Sequence, residues 1–292
     1  MRKTFRILGI ALVATGLLFA GCKKAEEEED EEEEATVSLD VSAPETQMNK
    51  NVLLEEYSGN NCPYCPAGHK KANEIVAANP GKVFPIIIHS GYLAQLYTTS
   101  FSAPLDTNAG AYLEGYPAGA LNRHIYRQNR QALNRGYWDY YLSQALGQQA
   151  AANIDAKATI NKSSRELVVC VAVYYTGTPT GSKNYINVAI TQDSIWGQQR
   201  ERPEAENQNP AQWNSDHTQY CHMHMLRHLV TGLWGDAITP TTGKQIKKEY
   251  RYTLPETISN ETVVPEHLHV MAFLCEDKNE VINVCEAPVT FK

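Results

Sequence analysis

Val52-Leu53-Leu54-Glu55-Glu56-Tyr57-Ser58-Gly59-Asn60-Asn61-Cys62-Pro63-Tyr64-Cys65-Pro66 decides the fold of the first half of this chain. Val52 to Tyr57 reads as a strand, and Ser58-Gly59-Asn60-Asn61 as the turn that ends it. From Pro66 to Ala78 the apolar residues Ala67, Ala72, Ile75 and Val76 recur at helical spacing, and Asn79-Pro80-Gly81 stops the helix. Val83-Phe84-Pro85-Ile86-Ile87-Ile88 is a second, largely buried strand. The order is therefore strand, CxxC, helix, strand.

A CxxC beside a βαβ pattern carries redox chemistry more readily than structure alone. At the amino end of a helix, backbone N–H groups and the macrodipole favour a thiolate, which is the role expected of Cys62. Cys65, one turn further in, would be shielded and would resolve a mixed disulfide. This chemistry expects the Cys62 sulfur to be uncovered. Two other uses stay open. An exported chain keeps such a pair oxidised as a plain structural bridge. Zinc or copper would want a second CxxC or a nearby His pair; there is no second CxxC, and His69 and His89 look isolated. The expectation is no metal and no cofactor.

The stretch from Val52 to Ile88 resembles thioredoxin-like proteins, and Cys-Pro-Tyr-Cys is the tetrapeptide of glutaredoxins. The resemblance implies a cis-proline facing the cysteines. Gly115-Tyr116-Pro117 is the matching segment, after an insertion spanning roughly 92–114. Pro117 would then help bind substrate backbone, with Tyr64 and Tyr116 as substrate-contacting neighbours. Glu56 stands where thioredoxins hold a buried acid that moves a proton for the resolving cysteine. The alternative is that Glu55 or Glu56 is a solvent-facing strand residue. Asn61 replaces the family's tryptophan, a departure from the usual substrate surface.

Residues 121–150 read as helical from Leu133, Tyr137, Tyr141, Leu142, Ala145 and Leu146. After Gln149 the pattern changes to short strands: Ile154 to Ile160, Leu167 to Tyr175, Tyr185 to Thr191, Gln245 to Leu254, His267 to Cys275 and Glu280 to Pro288. This predicts an all-β, immunoglobulin-like sandwich. Gln198 to Ser215 reads as a long exposed loop. His222 with His224, and His267 with His269, would share strand faces. Cys170, Cys221, Cys275 and Cys285 have no connectivity that sequence fixes, but a two-residue hairpin at Lys278-Asn279 would set Cys275 against Ile282 rather than Cys285.

At the amino end, Arg2, Lys3 and Arg6 precede the apolar run Ile7 to Ala20, which is short for a membrane span. Leu18-Phe19-Ala20-Gly21-Cys22 resembles the lipobox of bacterial lipoproteins, with Phe19 departing from the usual aliphatic residue. That resemblance makes Cys22 the lipid attachment site and the outer membrane a partner. Glu26 to Glu34 are nine consecutive acids, contributing -9 against a net charge of -7 for the whole chain. Such a run cannot bury a core. Lysine followed by acids after the lipid cysteine resembles the signal that sends Bacteroidetes lipoproteins to the cell surface. The acidic balance and the lack of a basic stripe exclude a nucleic-acid partner.

The whole chain from Asn51 resembles the 28-kilodalton outer membrane protein family of Bacteroidetes. The markers are Gly59-Asn60-Asn61-Cys62-Pro63-Tyr64-Cys65-Pro66 and Tyr220-Cys221-His222-Met223-His224-Met225-Leu226-Arg227. The expected organisation is a signal peptide (1–21), a disordered acidic linker (22–48), a thioredoxin-like α/β domain (49–149) and a β-sandwich (150–292). Two functions follow. One is a thiol–disulfide oxidoreductase acting on protein thiols or disulfides. The other is an adhesin or binding lipoprotein for host proteins or glycans, with the first domain as scaffold.

Overall fold

Strand β1 (Val52–Ser58) is buried along its whole length, because it runs between two neighbours and is covered on both faces. The computed structural model describes residues 40–292 apart from positions 180 and 278. Helix α1 (Cys65–Ala78) links β1 to β2 (Val83–His89), which pairs with it in parallel from Val52↔Val83 to Ser58↔His89. After α2 (Ser102–Ala109) and α3 (Ala111–Glu114), β3 (Ala118–Leu121) returns antiparallel to the other edge of β1. β4 (Ala132–Asn134) and α4 (Trp138–Leu146) follow.

The expected helix over 121–150 is thus mostly not one. Leu121 ends β3, the backbone turns through left-handed Asn122 and Arg123, and Leu133 lies in β4. Only the last part, from Trp138, keeps the helical period.

The remaining strands are β5 (Ala152–Ile160), β6 (Glu166–Tyr175), β7 (Asn184–Gln192), β8 (Ile195–Gly197), β9 (Tyr220–His222), β10 (Met225–Leu229) and β11 (Asp236–Ile238). They continue as β12 (Gln245–Thr253), β13 (Thr257–Ile258), β14 (Glu261–Thr262), β15 (Leu268–Glu276), β16 (Glu280–Ala287) and β17 (Val289–Phe291). The fold is β-rich. Among the described residues, a four-stranded sheet runs β12-β6-β5-β17. It packs Val169, Val171 and Val173 against Val188, Val270 and Ala272 of a larger sheet. That larger sheet runs β16-β15-β7-β10-β2-β1-β3-β4, with β11 on β7, so it continues across position 150. The join is the parallel β10–β2 pair at Met225↔Ile87. Residues 40–48, expected within the linker, lie on the smaller sheet, with Val41 and Ala43 buried against Cys170 and Ala172.

A register shift between Leu274 and Cys275 sets Cys275 against Val281, not Ile282, and Cys285 stands opposite Ala272. Cys221, Cys275 and Cys285 carry free thiols.

The two-residue period of β1 sends its two acids to opposite faces. Leu53 and Tyr57 join a core with Phe273 and Val284, whereas Val52 and Leu54 pack with Ala72, Ile75 and Trp138. Neither acid is solvent-facing: Glu55 is 2% and Glu56 0% exposed. Glu55 receives both Nε (2.8 Å) and Nη2 (2.6 Å) of buried Arg123. The guanidinium lies 5.2 Å from the Phe273 ring centre. Removing one member of a buried pair strands the other charge, which costs about 3–5 kcal/mol. Glu55→Ala should lower unfolding stability by that amount in a urea titration.

Candidate functional site

Cys62 and Cys65 form a disulfide in the turn that leads into α1. The Cys62 N–H donates to the Gly59 carbonyl (2.9 Å), and the Cys65 N–H to that of Cys62 (3.3 Å). Pro66 fits the first turn of the helix, where an N–H has no intrahelical partner. Across from this turn, the Tyr116–Pro117 peptide is cis. The Tyr116 carbonyl oxygen lies 3.6 Å from Cys62 Sγ, a contact rather than a hydrogen bond because a disulfide sulfur has no proton. Tyr116 is nearly buried, and its hydroxyl donates to Asp106.

Glu56 rises from β1 beneath α1. It meets Pro117 at Gly68: a Cβ there would stand 2.5 Å from Glu56 Oε1 and 2.6 Å from Pro117 Cβ. Only glycine lets the helix, the carboxyl and the proline approach this closely. Neither Glu56 oxygen finds a hydrogen-bond donor among the described residues. Burial pushes its carboxyl well above the ordinary carboxylate range, with a smaller opposing pull from Arg135.

His69 and His89, which look isolated in sequence, are gathered with His222. Their ring centres are 6.4 Å (His69–His89), 6.3 Å (His69–His222) and 5.2 Å (His89–His222) apart. His69 bonds Ser58 Oγ (2.8 Å) and the Tyr220 hydroxyl (2.9 Å). Burial lowers His69 to about 3 and His222 to about 4, so both imidazoles are neutral at pH 7. Because His69 is neutral, its 3.8 Å approach to Glu56 is not an ion pair. Among the described residues, no three His, Cys, Asp or Glu side chains are placed to hold a metal ion.

The Cys62 sulfur is not uncovered: Cys62 and Cys65 are both 0% exposed. Cys62 and Cys65 pack in the core with Tyr57 and Tyr116, and the segment expected to be an exposed loop closes over their turn. The Arg200 N–H donates to the Asn60 carbonyl (2.8 Å) and the Arg202 N–H to that of Pro63 (3.1 Å). Gln199 Nε2 reaches the carbonyls of Cys62 (3.0 Å) and Gly59 (3.3 Å). Arg202 stacks 4.9 Å over the Tyr64 ring and donates to its hydroxyl. Tyr64 itself remains 40% exposed. Nothing in sequence singles out Gln199 or Arg202; both act through contacts more than 130 residues distant.

The expected histidine strand pairs do not form. β9 ends at His222, His224 turns with left-handed φ, and His267 closes a 3-10 turn before β15. His224 and His269 instead flank Asp193, and His269 also bonds Glu286 (2.6 Å). Cys22 lies outside the described residues.

Residues 108–291 match the family described as outer membrane protein Omp28. The chain belongs to that family. An outer-membrane location goes with membership, and the cysteine pair precedes the matched span. HBP35 of Porphyromonas gingivalis shares the fold of this Omp28 member, with a TM-score of 0.63 at 17% identity over 83% of this chain and 78% of that one. A domain of the outer membrane lipoprotein Omp28 from the same organism aligns over 49% of this chain and 91% of its own, at 19% identity and a TM-score of 0.32. An Agrobacterium tumefaciens protein aligns over 83% and 96%, at 12% identity and 0.45. None of the curated proteins matches the sequence. Among the described residues, no helix is long and apolar enough to cross a membrane.

Two outcomes follow from this geometry. Gly68→Ala should cost about 1–3 kcal/mol by overpacking against Glu56 and Pro117, read from the shift in denaturation midpoint. Hydrogen bonds to Asp193 and then Glu286 hold His269 up to about 10, above its ordinary 6.5. A raised folded-state pKa stabilises fully below the unfolded value and is lost as pH rises through about 10. Unfolding stability should therefore fall between about pH 6 and pH 10.5, and His269→Gln should flatten that part of the profile.

Proposed function

We propose that this Omp28 member is a lipoprotein anchored through Cys22 and exposed at the cell surface, whose thioredoxin-like first half carries out thiol–disulfide exchange at Cys62 and Cys65. The observation that carries the reading is the convergence of three elements on the cysteine turn. The Tyr116 carbonyl stands at Cys62 Sγ, while Glu56 and Pro117 meet at Gly68, one turn into the same helix. The anchor and its surface address rest on Cys22, Lys23 and the acids that follow.

In the exchange, a thiolate of a substrate dithiol attacks Cys62 Sγ. The Cys62–Cys65 bond breaks and a mixed disulfide forms. Cys65 leaves as a thiolate and takes a proton from the Glu56 carboxyl, which burial keeps protonated. The second substrate thiolate then attacks the substrate sulfur of the mixed disulfide and releases Cys62 as a thiolate. Two electrons pass from the substrate dithiol, now a disulfide, to the cysteine pair. Every step runs equally in reverse, with Glu56 as the base for Cys65. Because Cys62 is covered, exchange requires displacement of the segment above it.

The same cover favours a second reading: an inert bridge in a tethered adhesin that binds host proteins or glycans through its β-sandwich. Trapping separates the two. Cys65→Ser in cells should accumulate mixed disulfides on Cys62 that vanish on reduction, and Glu56→Gln should slow exchange on the order of a hundredfold. A folded Cys65→Ser protein that never forms adducts would leave the binding reading in place.

A further inference from the structure

The segment over the cysteine turn is polar and is not built as core. Gln198-Gln199-Arg200-Glu201-Arg202-Pro203-Glu204-Ala205-Glu206-Asn207-Gln208-Asn209 contains no large apolar residue. Its hold on the cysteine turn is almost wholly polar. Each such hydrogen bond contributes little net, because water replaces it on release. The pattern of the contacts is that of an extended peptide. Arg200 and Arg202, two residues apart, present their N–H groups to the carbonyls of Asn60 and Pro63, on either side of Cys62. Gln199, just ahead of them, sends its carboxamide to the Cys62 carbonyl. The far end is tied separately: Asn209 and Gln212 bond the Tyr220 hydroxyl, and Arg135 donates to Asn207 Oδ1 (3.2 Å). The front is tied as well, where the Gln198 N–H donates to the Tyr97 hydroxyl (2.9 Å), so the part free to lift is the middle, between these two anchors.

We propose that Gln199–Glu204 is a built-in competitor for a polypeptide-binding groove over the cysteine pair, with Gln199 and Arg202 setting how readily a substrate enters. The proposal rests on the exchange reading above and specifies its substrate: an extended, cysteine-bearing polypeptide whose backbone N–H groups replace those of Arg200 and Arg202. Gln199 closes the groove from inside, and Arg202 latches it from outside by stacking on Tyr64.

The test uses the purified, oxidised full chain with two reductants: dithiothreitol and a reduced, unstructured peptide bearing two cysteines. Rates of disulfide reduction are compared for wild type, Gln199→Ala, Arg202→Ala and Arg202→Lys. Removal of either contact should speed reduction by the peptide roughly tenfold. Arg202→Lys, which keeps a cation over Tyr64, should fall between. A cysteine-free peptide of sequence 198–204, added in trans, should slow the Gln199→Ala protein back toward wild type. Arg202 is a surface residue, so its variants keep the fold when Gln199→Ala does not. Measurable exchange at the same rate in all folded proteins, with no effect of the added peptide, overturns the competitor and leaves the exchange reading standing. No exchange with either reductant in any folded protein overturns both.

Discussion

A single short seam governs the site. β10 meets β2 at Met225↔Ile87, and the Ile87 N–H donates to the His224 carbonyl at 2.8 Å. The seam is held in position by Asp193, which accepts the His224 backbone N–H at 2.7 Å. Because β10 is fixed beside β2, the β8–β9 ribbon just ahead of it is carried over the amino end of α1. Tyr220 and His222 are thereby delivered to His69 and His89, and the chain between β8 and β9 has nowhere to run except across the cysteine turn. The covering of Cys62 is thus a consequence of sheet continuity and not of any local preference of the covering residues.

Behind the disulfide, burial has removed charge instead of pairing it. Desolvation, before any neighbour acts, pushes Glu56 toward its neutral acid and holds His69, His89 and His222 as neutral imidazoles. On the opposite face of the same strand the solution is the reverse, with Glu55 meeting the two-pronged guanidinium of Arg123. Adjacent acids on one strand therefore serve different ends. One is clasped by a guanidinium, and the other is buried with no hydrogen-bond donor among the described residues.

Local chemistry made the strand–helix–strand unit legible, since its period, turn residues and stop signal all lie within one short stretch. Pro117 could be singled out because the resemblance names a position for it. The misreadings share one cause. Leu133 and Tyr137 fall at helical spacing by coincidence, and the hairpin that overrides it depends on Ala118 to Ala120 pairing with 132–134. The polar run after Gly197 looks like a solvated loop because its partners lie far away in sequence. The bulge at Leu274 that re-aims Cys275 leaves no mark in the composition. Periodicity reports a face; it does not report what arrives to cover that face.

The approach of the chain to the folded part has a mechanical consequence. Asp40 is gripped by Lys157 and Lys247, and Ala43 is clasped at its N–H and its carbonyl by one glutamine, Gln245. Asn153 then holds the carbonyls of Pro44 and Thr46. Tension entering from the amino-terminal side is absorbed by the outer sheet, and these clasps must part before any load reaches β1. The sulfur pair is insulated from its own leash.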